Sequence, residues 1–261
     1  MKIGISLSGG GARGFAHIGV LKALEENDIF PDVIAGTSAG AIIGALYAAG
    51  KTPDEMLDFV RESSILKIFR VTLPNKGLTS LDYLRERLEE VLPVDDFASL
   101  QKELYVAVTN LKSGELEIIH HGLLHETIMA SSAIPLVFKP VEIDGNLYVD
   151  GGVLDNMPVR PLLRHTDAII GVNVMPNAEV GDKTIGSMVG IATRVFEMAI
   201  WANTRPNLRR CDVVIEPEKV RNYNIFNFNR QQEFYDIGYE AAQEKMPFVK
   251  ERLEEKQAAL S

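Results

Sequence analysis

The sequence predicts a layered α/β fold with a mainly parallel sheet. Short β-type runs alternate with longer helical patterns along most of the chain, and this alternation is typical of strand–helix–strand units. The first two β-type runs, residues 3–7 and 32–35, are each followed by a glycine-rich turn and a helical pattern. We find no internal repeat, low-complexity tract or Pro/Gly/Ser-rich linker in the 261 residues, so we expect one domain over residues 1–261.

Each helix is predicted from a local pattern. Apolar residues recur at helical spacing from about 15 to 26 and from 38 to 50. Pro53, followed by two acidic residues, predicts a helix to about residue 61. Ser80 is predicted to cap the next helix. The core stripe of that helix comprises Tyr83, Leu84, Leu88 and Leu92. Further helices are expected over 183–201 and, as one or two segments, from 231 to the C-terminus.

The later strands are predicted from apolar runs and turn residues. Residues 104–109 and 116–119 resemble a strand pair, and Asp144–Gly145 marks a hairpin between 141–143 and 146–149. The remaining strands are expected at 168–174 and 213–215. Asparagine and aromatic residues alternate over 222–229, which fits either an edge strand or an ordered loop.

Composition and charge exclude several classes of protein. Hydrophobic residues make up 46% of the chain and charged residues 24%, which are ordinary values for a folded protein with a sizeable core. No apolar run reaches the roughly 18 residues that a spanning helix needs. The net charge of -9 argues against nucleic acid as a partner, because that affinity comes from clustered Lys and Arg. It also disfavours long-range attraction to an anionic membrane, but leaves open docking through a small basic and apolar patch.

The expected compartment is the cytoplasm. Residues 1–7 have too short an apolar run for a signal peptide and read as the first strand. The single cysteine, Cys211, excludes an internal disulfide and fits a reducing compartment. Transient contact with a membrane surface stays open, and the sequence makes no prediction of oligomeric state.

Ser38 lies in a pentapeptide that fits a nucleophile elbow. Gly36-Thr37-Ser38-Ala39-Gly40 follows a short β-type run and precedes a helical run of small residues. Strand, Gly-x-Ser-x-Gly and helix together place a serine hydroxyl on a tight, exposed turn. Gly36 and Gly40 lack Cβ atoms and allow strand and helix to approach closely. The alternative is a flexible Gly/Ser turn.

A second glycine-rich turn, Gly9-Gly10-Gly11-Ala12-Arg13-Gly14, follows the first strand. A dinucleotide fingerprint would need an acidic residue at the end of the second strand, and the only nearby acid, Asp32, precedes that strand. A plain tight connection would not need three consecutive glycines and an arginine. The third interpretation is an oxyanion hole, in which glycine amides at a helix N-terminus aim donors at one point. Arg13 would hold the loop or add positive potential.

The general base is not evident from the residues alone. The five histidines are His17, His120, His121, His125 and His165, and none has neighbours that mark a member of a catalytic triad. His17 reads as a structural residue in an apolar helix. Asp150, in Asp150-Gly151-Gly152 after an apparent strand, is an alternative base, although such a tripeptide is often only a turn.

Read together, the three segments resemble the patatin-like phospholipase family. The glycine-rich turn, the Ser38 pentapeptide and Asp150-Gly151-Gly152 occur in that order. Residues 130–135 and 138–140 are similar to the family's segment leading into the aspartate strand. The resemblance covers residues 2 to about 158 and, more weakly, 168–174. It implies a three-layer α/β/α fold with a mainly parallel central sheet.

The resemblance implies a Ser-Asp dyad acting on lipid esters. Ser38 would be the nucleophile and Asp150 the base. The oxyanion-hole segment would comprise Gly9, Gly10, Gly11, Arg13 and Gly14, and the loop after the acid would comprise Gly151 and Gly152. No cofactor is implied, and we expect no metal and no nucleotide. The substrate would be a lipid or acyl ester, cleaved in the manner of a phospholipase A, lysophospholipase or esterase.

Two alternatives stay open from the sequence. A Ser-His-Asp carboxylesterase would need a histidine after the acid, and only His165 follows Asp150. A non-catalytic scaffold would bind an acyl group or a partner without hydrolysis. Residues 65–73, which are apolar with Lys67 and Arg70, fit either a lipid-contacting lid or a packed connection.

Overall fold

The computed structural model describes residues 1–62, 80–135, 137–177, 179, 181 and 185–260. These residues include an eight-stranded sheet. Its strands are β1 (Ile3–Leu7), β2 (Val33–Gly36), β3 (Glu103–Asn110), β4 (Leu116–Ile119), β5 (Val141–Ile143), β6 (Asn146–Asp150), β7 (Ala168–Val172) and β8 (Val213–Ile215). The described helices are α1 (Ala16–Glu25), α2 (Ala39–Ala48), α3 (Pro53–Glu62), α4 (Asp82–Val91), α5 (Leu124–Ser131), α6 (Met188–Leu208) and α7 (Gln231–Leu260).

The sheet is mainly parallel, as predicted. Strands β3, β2, β1, β7 and β8 pair in that order and run parallel. Strands β4 and β6 add antiparallel to β3, and β5 pairs antiparallel with β6. Because β1 and β2 lie side by side with Leu7 opposite Gly36, the turns that follow them emerge together at one edge of the sheet.

Alternating side chains of the strands supply two cores. Ile5, Ile34 and Val106 point to the larger core, which also contains buried residues of α1, α2, α4, α5 and α7. Val33 and Tyr105 point to a smaller core on the opposite face, which includes buried residues between 157 and 162 and the C-terminal end of α6. The three-layer α/β/α arrangement is confirmed.

Several predicted elements have different bounds. A 3-10 helix, Gly11–Phe15, comes between β1 and α1, and β7 ends at Val172 rather than at 174. The N-cap of α4 is Leu81, and the predicted Ser80 cap is wrong because its hydroxyl donates instead to the Asp82 carboxylate at 2.5 Å. The helix expected over 183–201 is α6, which continues to Leu208.

The remaining predictions differ in outcome. The hairpin is confirmed, and Asp144 and Gly145 both have the positive φ, 49° and 74°, that a type I′ turn requires. The segment from 222 to 229 is a loop rather than an edge strand. The lid proposed over residues 65–73 lies outside the described residues.

Candidate active site

Ser38 is held in an unfavourable backbone conformation between β2 and α2. Its φ is 52° and its ψ is -121°, a region that residues with a Cβ atom seldom adopt. The turn is packed tightly from the other side, since a Cβ on Gly40 would lie 2.1 Å from the carbonyl oxygen of Leu7 in β1. The pentapeptide therefore forms the sharp strand-to-helix turn that the sequence predicts, but the predicted exposure is wrong, because Ser38 is buried at its tip.

Strand pairing brings Asp150 to Ser38. Val106 and Val108 both pair with β4, so their other partners lie along the opposite edge of β3. On that edge Val106 faces Gly36 at the end of β2, and Val108 faces Asp150 at the end of β6. The two strands approach along one edge from opposite directions. Asp150 therefore occupies the place where β2 would have continued, directly beside the Ser38 turn.

The Asp150 carboxyl group is buried and has an altered pKa. Burial raises this pKa from 3.8 to about 6. The Gly152 amide, which donates to Oδ1 at 2.7 Å, and hydrogen bonding with the Ser38 side chain both act in the opposite direction. The carboxyl group is therefore mainly ionised near neutral pH, yet far more basic than an exposed aspartate.

Ser131, at the end of α5, anchors the Ser38 turn. The Ser38 amide donates to Ser131 Oγ at 2.8 Å, and Ser131 Oγ donates to the Ala107 carbonyl at 2.7 Å. The same segment also fixes the acid, because the Asp150 amide donates to the carbonyl of Ala133 at 3.0 Å. This segment therefore joins the nucleophile turn, β3 and the acid.

The glycine-rich turn lies beside Ser38. An ideal Cβ on Gly9 would lie 3.3 Å from Ser38 Cβ, and one on Gly14 would lie 2.4 Å from Ala39 Cβ. The Gly9 amide donates to the Asn156 carbonyl at 3.0 Å, so it is engaged and the predicted set of free donors is too wide. Within the described part of the chain, the amides of Gly10 and Gly11 have no hydrogen-bond acceptor. They are the donors left at the N-terminus of the 3-10 helix that leads into α1.

Two buried side chains hold the glycine-rich turn. The Nε and Nη2 groups of Arg13 both donate to the Tyr223 carbonyl, at 3.0 and 2.6 Å. Burial lowers the pKa of Arg13. His17 Nε2 lies 2.8 Å from the Ser8 carbonyl, and burial lowers its pKa to about 4, so this imidazole is neutral at pH 7. Both residues position the loop.

Residues of the loop after Asp150 reach the other two turns. Thr37 Oγ1 donates to the Asp155 carbonyl at 3.0 Å, and Asn156 Nδ2 donates to the Gly9 carbonyl at 3.4 Å. Gly151 packs against β3, where its Cβ would lie 2.2 Å from the Ala107 carbonyl oxygen. The three segments singled out in the sequence thus form one hydrogen-bonded site.

Residues 5–163 match the sequence profile of the patatin-like phospholipases. The chain belongs to the patatin-like phospholipase family. An uncharacterised NTE family protein of Mycobacterium tuberculosis is 33% identical over 164 residues, covering 62% of this chain and 45% of the relative. Lysophospholipase NTE1 of Coccidioides immitis is 33% identical over 179 residues, covering 66% of this chain and 11% of the relative. This patatin-like chain therefore spans less than half the length of either relative.

A solved structure shares the fold. VipD from Legionella pneumophila aligns over 90% of this chain and 66% of that chain, with a TM-score of 0.54 and 17% sequence identity. At this identity the likeness bears on the fold alone. It agrees with the three-layer arrangement of the patatin-like chain.

The five histidines lie apart from the Ser38–Asp150 pair. The His165 ring packs 5.6 Å from that of Tyr105, whose side chain belongs to the smaller core. His120 packs on the same tyrosine, and His125 Nε2 lies 2.8 Å from the Leu92 carbonyl. Among the described residues, no hydrogen bond or ring contact joins a histidine to Ser38 or Asp150.

An apolar cleft opens at Ser38. Its walls come from α2, α3, α4, the 3-10 helix after the glycine-rich turn and the loop before α7. The lining side chains include Phe15, Ile42, Phe59, Leu84, Ile134 and Phe228. Ser132 also lines it, and its buried hydroxyl has no hydrogen-bond partner among the described residues. The cleft can accommodate an apolar group next to the nucleophile.

The described residues contain no group of three or more His, Cys, Asp or Glu arranged to hold a metal ion. No helix among them is long and apolar enough to cross a membrane. Cys211 is partly exposed, and burial of its thiol raises the pKa to about 12, so the thiol is protonated at neutral pH.

Sequence reasoning missed the residues that join the turns. Ser131 lies within residues 130–135, and Asn156 lies shortly after Asp150-Gly151-Gly152. The roles of both residues depend on partners far along the chain. A polar residue at the end of an apolar helix is the only local signal for Ser131. Nothing local marks Asn156, because its contact with Gly9 exists only after β1 and β6 are brought together.

Proposed function

We propose that this patatin-like chain is a serine acyl hydrolase that cleaves carboxylic esters of lipids, with Ser38 as nucleophile and Asp150 as base. The observation that carries the proposal is the end-on approach of β6 to the Ser38 turn, which seats a buried carboxyl group beside a strained serine. The hydrolase is proposed as one domain over residues 1–261.

The proposed chemistry is an acyl transfer to Ser38 followed by hydrolysis. Asp150 accepts the hydroxyl proton as Ser38 Oγ attacks the ester carbonyl, which forms a tetrahedral oxyanion. The Gly10 and Gly11 amides donate to that oxyanion, and loss of one such donor typically costs about 3 kcal/mol of barrier. Asp150 then returns the proton to the leaving alcohol. A water molecule, deprotonated by the same carboxylate, then attacks the acyl-Ser38 ester, and Asp150 returns this proton to Ser38 Oγ as the carboxylic acid leaves.

Three observations support a lipid substrate. The family is that of the phospholipases, one relative is a lysophospholipase, and the cleft at Ser38 is lined mainly by apolar side chains. An acyl chain in this cleft would place its ester carbon at the mouth, next to Ser38 Oγ. Phospholipase A, lysophospholipase and simple esterase activities all fit this arrangement.

We also propose that the hydrolase works in the cytoplasm and meets lipid at a membrane surface. One face of α6 exposes the apolar residues Met188, Ile191, Val195 and Met198, and the same face continues into the exposed Arg205 and Arg209. Apolar side chains followed by arginines suit the boundary between acyl chains and anionic headgroups. Serine at Ile191 and Val195 should weaken sedimentation with anionic vesicles, whereas Leu111→Ser, on another exposed surface, should not. Equal binding by both variants would refute this surface.

Hydrolysis of p-nitrophenyl esters and of a lysophospholipid tests the proposed function. Ser38→Ala and Asp150→Asn should each abolish hydrolysis while the protein stays folded. His165→Gln should keep most of the activity, because its ring lies by Tyr105. A folded but inactive His165→Gln variant would favour the Ser-His-Asp carboxylesterase instead. No hydrolysis of any ester by the intact protein would favour the acyl-binding scaffold.

A further inference from the structure

Helix α6 lies outside the residues that match the family profile, yet two of its side chains hold the loop after Asp150. Asn203 Nδ2 donates to the carbonyls of Gly152 and Val153 at 2.8 and 3.3 Å. Asn203 Oδ1 accepts a hydrogen bond from the Asn156 amide at 3.0 Å. A single side chain thus fixes three peptide groups of the loop.

Asn207 makes a second set of bonds one turn further along the helix. Its Nδ2 donates to Asp155 Oδ1 and to the Met157 carbonyl, both at 2.9 Å. Residues four apart lie on the same helix face, so Asn203 and Asn207 approach the loop together. Arg210 Nη1 donates to Asn207 Oδ1 at 3.4 Å, which orients the amide with its nitrogen toward the loop. We call the pair Asn203 and Asn207 the asparagine clamp.

The clamped loop touches every part of the proposed site. Gly152, held by Asn203 through its carbonyl, donates its amide to the Asp150 carboxylate at 2.7 Å. Asp155, held by Asn207, accepts at its carbonyl from Thr37, the neighbour of Ser38. Asn156 accepts at its carbonyl from the Gly9 amide. A shift of this loop would move the acid, the nucleophile turn and the glycine-rich turn relative to one another.

We propose that Asn203 and Asn207 are positioning residues for the reaction, which hold the Asp150 loop and the glycine-rich turn in register with Ser38. The proposal rests on the proposed function and extends it to a helix beyond the family match. The reaction rate depends steeply on the placement of the catalytic groups, because a misplacement of about 1 Å can cost on the order of 100-fold in rate. The clamp therefore affects turnover without touching substrate.

Burial of Asn207, the more enclosed member of the clamp, keeps water from replacing its hydrogen bonds. Asn207 and Asp155 are each less than one-tenth exposed, and burial raises the pKa of Asp155 to about 6. Hydrogen bonds from the Met157 amide and Asn207 oppose that rise and favour the ionised form. Truncation of Asn207 leaves a buried carboxylate short of a donor, and the loop must move to find one.

Alanine variants of the clamp, measured per folded molecule, test the proposal. Asn203→Ala and Asn207→Ala should each lower kcat by about ten-fold or more, with KM within about two-fold, because positioning acts on the chemical step. Thr204→Val is the control, since Thr204 is buried in α6 like Asn207 and, among the described residues, its hydroxyl bonds only to the Ile200 carbonyl. It should lose comparable thermal stability and keep kcat within about two-fold.

Hydrogen exchange gives a readout that does not depend on activity. In Asn203→Ala the amides of Gly152 and Gly9 should exchange faster, while strand amides of β1 keep their protection. Thr204→Val should leave both amides unchanged. Unchanged exchange together with unchanged kcat would overturn the clamp, as would a rise in KM at constant kcat. Activity retained by Ser38→Ala would instead refute the proposed function itself, which keeps the two failures separate.

Discussion

At the scale of single residues, burial of the Asp150 carboxylate favours proton transfer but lowers the stability of the folded protein. A buried carboxylate is a better proton acceptor than an exposed one, but its ionised form is costly to bury. The Gly152 amide and the Ser38 side chain form hydrogen bonds with this carboxyl group, yet burial still raises its pKa to about 6. The base is therefore kept by a fold that would be more stable without its charge.

Asp150→Asn should raise the thermal stability at alkaline pH. Because the folded pKa of Asp150 is raised from 3.8 to about 6, its stabilising contribution is complete below the unfolded value and is lost as pH rises through 6. The ionised group then costs about 3 kcal/mol at pH 8 and about half of that at pH 5. The melting temperature of Asp150→Asn should exceed that of the parent protein by several degrees at pH 8 and by less at pH 5. Equal melting temperatures at pH 8 would contradict the burial of the ionised acid.

At the scale of elements, the site is built from three turns that each follow a strand. The turns after β1 and β2 meet because those strands are parallel neighbours, and β6 arrives from the opposite direction. The glycine-rich turn is the element whose role distinguishes an acyl-transfer site from a nucleotide-binding site. Its remaining free donors, Gly10 and Gly11, lie at a helix N-terminus, where an anion is stabilised.

Gly10→Ala should lower the turnover number more than it weakens substrate binding. An alanine Cβ at this position would lie 2.6 Å from Val174 Cγ2, so the turn and Val174 must move apart, and we expect the amides of the turn to lose their alignment. Steady-state kinetics on a short-chain ester should show a reduced kcat at a similar KM. Millimolar NAD or ATP should leave the melting temperature unchanged, because a ligand of the folded state would raise it. A nucleotide-dependent rise of several degrees would refute the oxyanion assignment of this turn.

The sequence predicts elements better than it predicts their meeting points. Short residue patterns predict the Asp144–Gly145 hairpin and the Ser38 elbow, and both occur in the structure. The role of Ser131 could not be read locally, since its partners, Ser38 and Ala107, come from other elements. The predicted end of α6 is wrong for the same reason. Its last turns are held by hydrogen bonds from Asn203 and Asn207 to a loop about fifty residues away, and no local sequence pattern predicts these bonds.

At the scale of the whole molecule, the chain beyond the family match is part of the same fold. Helix α7 packs along α1, which leads out of the glycine-rich turn. The Arg13 side chain reaches Tyr223, in the loop before α7. The loop before α7 therefore helps to hold the glycine-rich turn, while α6 holds the loop after Asp150.

Gly238→Ala should destabilise the whole molecule. The two helices are so close that a Cβ on Gly238 of α7 would lie 2.0 Å from the Ala16 carbonyl oxygen, and backbone must move to admit it. Overpacking of this kind costs about 1–3 kcal/mol, which denaturant unfolding can measure. Gly181→Ala is the control, because no described residue lies within 4 Å of its Cβ position. Equal stability of the two variants would mean that α7 does not dock on α1 as described.

The most direct test of the central claim is covalent labelling by an alkyl fluorophosphonate, with mass spectrometry of the modified peptide. A strained serine beside a buried carboxylate should react as a nucleophile, so we expect one phosphonylated residue, Ser38. Labelling should be lost in Ser38→Ala and strongly slowed in Asp150→Asn, while His165→Gln reacts at close to the parental rate. Modification of a residue other than Ser38, or an unchanged labelling rate in Asp150→Asn, would contradict the dyad.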